Sequence, residues 1–268
     1  MNPFKQMLKA AGAHPPVGTW ISSASPVVAE AVGHAGFDWA VLDMEHSPTD
    51  TMEVLHMLQA LCATKMVPAV RVPWNDPVVV KRILDAGATT LMVPFVQNAD
   101  EAARAVAATR YPPEGIRGLA GASRASRYGT QANYFAQANK QVGVIVQLET
   151  VAAVERLEQI AAVPGVDALF VGPGDLSASL GVIGQFTHPK VMELLGRAAE
   201  RARAAGTPIG TIGDSPEVAA QSRAAGFDFI AIGSDVSLLM RAARSVIGAL
   251  RTPGSEHVHS ISSGTQGY

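Results

Sequence analysis

The residues of this sequence best suited to chemistry are a few acids, one arginine and one histidine, each standing directly behind a short apolar run. Val142 to Val146 is followed by Gln147, Leu148 and Glu149. An ionised carboxylate ending a buried run costs several kcal/mol unless a counter-charge is supplied, and a cation supplies one. Asp175 closes Gly172-Pro173-Gly174-Asp175 behind the next apolar run, Ala168 to Val171. Two carboxylates from adjacent strands can grip one ion and leave positions for water and substrate, and such oxygen ligation suits Mg²⁺, Mn²⁺ or a similar ion. The same two acids would also serve as helix N-caps or salt-bridge partners; spacing alone leaves both readings open. His46 lies in Asp43-Met44-Glu45-His46-Ser47, where a neighbouring carboxylate can orient an imidazole for acid/base work, although a loop histidine is often simply solvated. Arg71 ends the apolar run MVPAVRV, so it faces an anionic ligand or bridges to Asp43 or Glu45.

Other groups are informative by what they exclude. Lys5, Lys9, Lys65, Lys81, Lys140 and Lys190 all fall at helix positions or ahead of strands, so none is placed to form a Schiff base with a carbonyl substrate. Carbonyl chemistry would then need a metal. The single cysteine, Cys62, rules out an intrachain disulfide, and its place in an apolar helical run predicts a packing role. The Gly213 and Gly233-Ser234 turns are candidate phosphate cradles, as in a phosphosugar isomerase or synthase, but Asp214 and Asp235 would repel the anion.

What must position these residues is a βαβα rhythm, with short β-branched runs alternating with longer Ala-rich runs of helical period. Eight strands are predicted: Val17 to Ile21, Trp39 to Met44, Met66 to Val72, Thr90 to Phe95, Val142 to Glu149, Ala168 to Val171, Pro208 to Ile212 and Phe229 to Ile232. Three helices end in related phrases, HAGFDWAVLD, DAGATTLMVP and AAGFDFIAIG, with glycine as the left-handed closing residue. Ser25-Pro26, Asn75-Asp76-Pro77, Asn98, Ser215-Pro216 and Ser234-Asp235 mark helix starts. Eight βα units predict an α/β single-domain (β/α)8 TIM barrel over residues 1–252, with reactive groups at the C-terminal strand ends. The Pro- and Gly-rich stretch Arg110 to Ala138 interrupts the rhythm and reads as a loop at the mouth or an interface. The last helix, LLMRAARSVIGAL, packs on its own barrel or on a partner, and residues 253–268, with His257 and His259, read as a disordered tail.

The 268 residues are 48% apolar and 16% charged, with a formal net charge of −2. No basic block suggests nucleic acid, no run is long enough to span a membrane, and the N-terminus lacks a signal-peptide core. Small solutes are the expected partners and the cytoplasm the expected location. A non-catalytic ligand-binding barrel is the remaining alternative.

On these motifs the chain resembles the HpcH/HpaI aldolase family, in its branch acting on 4-hydroxy-2-oxo diacids such as 4-hydroxy-2-oxoheptanedioate and on 2-keto-3-deoxy sugar acids. The resemblance is carried by FDWAVLDMEHSPTD (37 to 50), RVPWNDP (71 to 77), TRYPPEGIRG (109 to 118), VQLET (146 to 150) and GVDALFVGPGDLSASLG (165 to 181), and spans about residues 15 to 250. It implies a class II aldolase, a carbon-carbon lyase that reversibly cleaves such an acid to pyruvate and an aldehyde with Mg²⁺, Mn²⁺ or Co²⁺. It further implies Glu149 and Asp175 as metal ligands, Arg71 as neutraliser of the developing enolate, and the Gly174 and Asp175 amides as carboxylate holders. Gln147 would line the pocket, and His46 with Asp43 would form the acid/base unit. Asp85 in RILDAG resembles a further catalytic residue of the family, yet its helix position puts it at the far end of its own barrel. It would serve a neighbouring subunit in a homohexamer, a trimer of dimers. The chain departs from the family at Met44, Ser47, Thr49 and Gly174; Met44 and Ser47 flank His46 and bear on aldehyde preference.

Overall fold

Each of the eight apolar runs forms a strand, and the strands close on themselves in chain order. The computed structural model describes residues 1–12 and 14–251. The strands are β1 (Val17–Ile21), β2 (Trp39–Asp43), β3 (Val67–Arg71), β4 (Thr90–Val93), β5 (Gly143–Gln147), β6 (Ala168–Val171), β7 (Ile209–Gly213) and β8 (Phe229–Ser234), all parallel in one closed barrel. Around them lie α2 (Pro26–His34), α3 (Thr51–Leu61), α4 (Pro77–Asp85), α5 (Ala99–Thr109), α6 (Tyr134–Gln141), α7 (Val151–Glu155), α8 (Leu157–Ala161), α9 (Pro173–Ser179), α10 (Pro189–Ala204), α11 (Pro216–Ala225) and α12 (Asp235–Arg251). A leading helix, α1 (Pro3–Ala10), sits at the N-terminal end of the barrel, its floor.

The helix signals act as the sequence predicts. Ser25, Asp76, Asn98 and Ser215 each accept backbone N–H bonds from the first turn they cap. Gly36, Gly87 and Gly226 take the left-handed φ of 101°, 100° and 93° that ends their helices. The barrel interior is aromatic: Trp20, Trp39, Phe170 and Phe229 fill it, and Phe4 of α1 closes the floor with its ring 5.2 Å from Phe229 and 6.0 Å from Trp39. Gly18 and Gly210 face Trp39 and Phe229, where any Cβ would overlap the ring. Asn2 ties the plug down, accepting from Lys5 N at 3.0 Å and donating to Thr89 O at 2.7 Å and Gln141 O at 3.0 Å.

The barrel is sealed where β1 meets β8. Thr19 Oγ1 donates to Ile232 O at 3.0 Å, and the register shifts between Gly18 and Trp20. The buried Asp235, at the start of α12, accepts from Ser22 N at 2.9 Å and Ser23 N at 3.2 Å.

Some expectations are corrected, and others that the sequence leaves open are narrowed. Strands β2, β3, β4 and β5 stop one or two residues short of their predicted C-terminal ends, because residues there turn out of the ladder; Phe95, past β4, has a φ of 54°. The stretch Arg110 to Ala138 does not reach the mouth of its own barrel. It folds beneath the floor, where Arg117 pairs with Asp85 and Arg124 donates to Ala86 O. Cys62 is exposed rather than packed, because α3 ends at Leu61 and the thiol turns outward to Leu58 O and the Arg124 guanidinium. Helix α12 leaves Leu239, Met240, Val246, Ile247 and Leu250 exposed, so beyond its first residue it does not bury its apolar side chains on its own barrel. The predicted tail lies outside the described residues. Among those described, no helix is long and apolar enough to cross a membrane.

Candidate active site

Residues at the ends of parallel strands point into the space above the barrel, and here a cavity of about 630 Å³ opens among them. Asp43, His46, Arg71, Gln147, Glu149, Gly174 and Asp175 all line it and, among the described residues, no lysine does. Asp85 does not: it ends α4 on the floor side, 2.7 Å from the Arg117 guanidinium.

Arg71 is the centre of the arrangement. The β2–β3 register sets Asp43 beside Arg71, and the two form a bidentate pair, Nε to Oδ1 and Nη2 to Oδ2, both 2.8 Å. Nη1 stands 2.9 Å from Glu45 Oε2 as an ion-pair contact, and the guanidinium lies 5.7 Å from the Trp20 ring centre. The anion-binding and bridging readings of Arg71 are therefore compatible: a guanidinium has five N–H donors, and those left over face the cavity it lines. Burial works to raise the Asp43 pKa, but the Arg71 hydrogen bonds and charge, with amide and hydroxyl donors from Glu45 and Ser47, hold it below the ordinary carboxylate range.

The other acids are less fully compensated. Glu149 is buried, accepting from Phe95 N at 2.8 Å and, weakly, from Gln147 Nε2 at 3.4 Å. Burial, together with the negative charges of Glu45 and Asp175, pushes its pKa to about 7 against the pull of the Phe95 amide and Arg71. Glu45 is pushed to about 7 in the same way, first by burial and then by Asp43 and Asp175, with Arg71 opposing. Gln147 Oε1 is buried with no hydrogen-bond partner. Asp175 is exposed in the first turn of α9, where it and Gly174 present amides that have no intrahelical acceptor.

This donor set fits a hard divalent cation. Carboxylates crowded in a buried pocket, raised toward neutrality and beside an orphaned amide oxygen, are what a dication would relieve. Among the described residues no three His, Cys, Asp or Glu side chains close into a coordination shell. Glu149 and Asp175 line the same cavity, and two carboxylates with positions left to water and substrate would be enough to hold such an ion.

The acid/base pair differs from expectation. Asp43 is committed to Arg71, Ser47 and the Glu45 amide, and does not hold His46. The acid nearest His46 is Glu45, 4.0 Å from Nε2, and the imidazole is 68% exposed. The sequence offers Glu45 only as a neighbour of His46 and an alternative bridge for Arg71, although its place behind β2 is signal enough for a site residue. Trp20 and Ser22, at the end of β1, and Thr211, on β7, also line the cavity and obey the same strand-end rule. Gln185, Phe186 and Thr187 line it as well but follow a helix, so no strand-end signal marks them. The wall formed by Gly213, Asp214, Gly233 and Ser234 presents the Asp214 carboxylate, which weighs against a phosphate cradle.

Comparison with known proteins agrees with this geometry. The model of the HpcH/HpaI aldolase/citrate lyase family matches residues 17–242. A 2-dehydro-3,6-dideoxy-6-sulfogluconate aldolase of Pseudomonas putida is 50% identical over 245 residues, covering 91% of this chain and 95% of that protein. A 5-keto-4-deoxy-D-glucarate aldolase of Salmonella newport (strain SL254) is 46% identical over 235 residues, 88% of this chain and 91% of that one. Among solved structures, an HpcH/HpaI aldolase/citrate lyase family protein from Burkholderia cenocepacia J2315 superposes with a TM-score of 0.90 at 44% identity, covering 94% of this chain and all of that one.

Proposed function

The chain belongs to the HpcH/HpaI aldolase/citrate lyase family, and from that premise we propose that it is a carbon-carbon lyase, an aldolase that cleaves a 2-keto-3-deoxy sugar acid or related 4-hydroxy-2-oxo acid to pyruvate and an aldehyde. The observation that carries the reading is the convergence, at one barrel mouth, of Arg71 with Glu149 and Asp175 in a chain about half identical to named aldolases.

The chain's own residues divide the work. Glu149 and Asp175 would hold a divalent ion, Mg²⁺, Mn²⁺ or Co²⁺, which when bound supplies Lewis acidity toward a 2-keto acid. The N–H groups of Arg71 not taken by Asp43 neutralise charge that develops on the keto oxygen as the C3–C4 bond breaks, and Asp43 holds the guanidinium in that pose. The Gly174 and Asp175 amides receive the substrate carboxylate, and Gln147 orients the keto acid from the floor of the pocket. His46 accepts the C4 hydroxyl proton, with Glu45 as its nearest acidic neighbour. Asp85 reaches none of this within its own barrel; its contribution would be to a neighbouring copy in a homo-oligomer, a role for which the exposed apolar side chains of α12 offer a contact face. A cytoplasmic location and a hexamer, a trimer of dimers, complete the proposal.

The test is pyruvate release from 5-keto-4-deoxy-D-glucarate, coupled to lactate dehydrogenase, before and after exhaustive chelation. Activity should vanish with the metal and return on adding Mg²⁺, Mn²⁺ or Co²⁺. Full turnover after metal removal would refute the metal's role. No pyruvate from any 4-hydroxy-2-oxo acid would refute the function.

A further inference from the structure

Beneath the barrel, at the opposite end from the catalytic mouth, lies a second concavity of about 600 Å³. Its lining includes Arg117, Arg124 and Arg127 together with Gln131 and Tyr134 and, among the described residues, no aspartate or glutamate. Arg117 is 3% exposed, and Asp85, 2.7 Å from Nη2, balances its charge. Its Nε is buried without a hydrogen-bond partner. Among the described residues, Arg124 and Arg127 pair with no carboxylate. Two uncompensated guanidiniums beside a third that has only one acid form a positive hollow, and like charges so placed repel unless an anion joins them.

The hollow is built into the local fold. Arg124 is anchored by its bond to Ala86 O at 3.0 Å, and its guanidinium lies over Gly87, where a Cβ would overlap it. Ser126 is buried and knots the loop: its hydroxyl lies 3.0 Å from both Gly121 O and Ser123 O and accepts from Gly129 N at 3.0 Å. Arg127 is held in the left-handed region, φ 51°, with its amide donating to Arg124 O at 2.9 Å. The backbone carrying both arginines is therefore fixed in advance, which lowers the ordering cost of binding.

We propose that this floor pocket binds a small polyanion, a phosphate- or carboxylate-bearing metabolite with at least two negative charges. Arg127, with the Arg124 N–H groups not taken by Ala86 O and Cys62 Sγ, supplies the donors that suit such groups. The site is separate from the mouth by the length of the barrel strands, on the order of 15 Å for five residues. Its occupant would brace three segments that meet there, Asn2 and Pro3 at the start of α1, Gly87 to Thr89 before β4, and Gln141 and Val142 before β5. The pocket shares no lining residue with the mouth of its own barrel.

Calorimetric titration of the full chain with pyrophosphate and, separately, with succinate tests this. One or both should bind saturably at below about 1 mM, weaken as salt rises, and weaken roughly tenfold in Arg127→Gln and again in Arg124→Gln. Pyrophosphate alone would identify phosphate as the recognised group, and succinate alone a carboxylate. Among the described residues Arg127 makes no side-chain hydrogen bond or ion pair, so its variant should fold and release pyruvate as the parent does. Absence of saturable heat with both probes, including the case of a second copy filling the hollow, overturns the proposal. So does equal binding to the Arg127→Gln and Arg124→Gln proteins.

Discussion

At the mouth of the barrel, Glu45 and Glu149 crowd a guanidinium that Asp43 has already claimed, whereas at the plug the polar groups of α1 are matched, Asn2 with four partners and Lys5 with Asp167 at 2.8 Å. The mouth holds two glutamates near pH 7 by burial and mutual repulsion. The plug buries Phe4 completely among Trp39 and Phe229. One end thus carries electrostatic strain that a ligand can relieve, and the other supplies packing that stabilises the barrel. The lesson is that activity and stability should separate by barrel end.

Glu149→Gln is the strongest attempt to break that separation. It should reduce pyruvate release about a thousandfold or more, while the melting temperature of the metal-free protein stays level or rises, because a buried charge has been removed. A stability loss comparable to a core mutation would mean that the carboxylate is structural. Phe4→Ala tests the other end. Emptying that site should cost about 3 kcal/mol in denaturant unfolding, with kcat/KM per folded molecule within about twofold of the parent. Joint collapse of both quantities would show the ends to be coupled.

The smallest expected effect sharpens the contrast through pH. Glu45 and Glu149 have folded pKa values raised from 4.5 to about 7. Their protonation therefore favours the folded state, a contribution that is complete below about pH 4.5 and lost as pH rises through 7. Metal-free protein should lose on the order of 2 kcal/mol between pH 5 and pH 8, and Glu149→Gln should lose less. Added Mg²⁺ should raise the melting temperature more at pH 8 than at pH 6. An equal shift at both pH values would argue that the cation binds elsewhere.

Most of the barrel was legible because periodicity reports which face of an element is buried. All eight strands and the capping residues Ser25, Asp76, Asn98 and Ser215 could be read from local pattern alone. Local pattern does not report where a chain turns out of a ladder, so Phe95 and Glu149 were counted as strand when they are its exits. Nor does it say which end of the barrel a long insertion folds toward; Arg110 to Ala138 is fixed to the floor by Arg117 and Arg124, whose partners lie more than 30 residues away in sequence. In the mouth, position behind a strand found Asp43, His46, Arg71 and Glu149. It could not apportion partners among them, so Asp43 was assigned to His46 although a bidentate arginine is the stronger competitor for a carboxylate.

The seam between β1 and β8 joins stretches more than 200 residues apart, so the Asp235 carboxylate and the Ser22 amide meet only after the intervening chain has been gathered in. Such a junction is the most expensive in loop entropy and belongs to the last stage of assembly. A circular permutant opened in the floor loop near Gly121, with its old termini linked, would make that junction sequence-local and should reach the native state sooner.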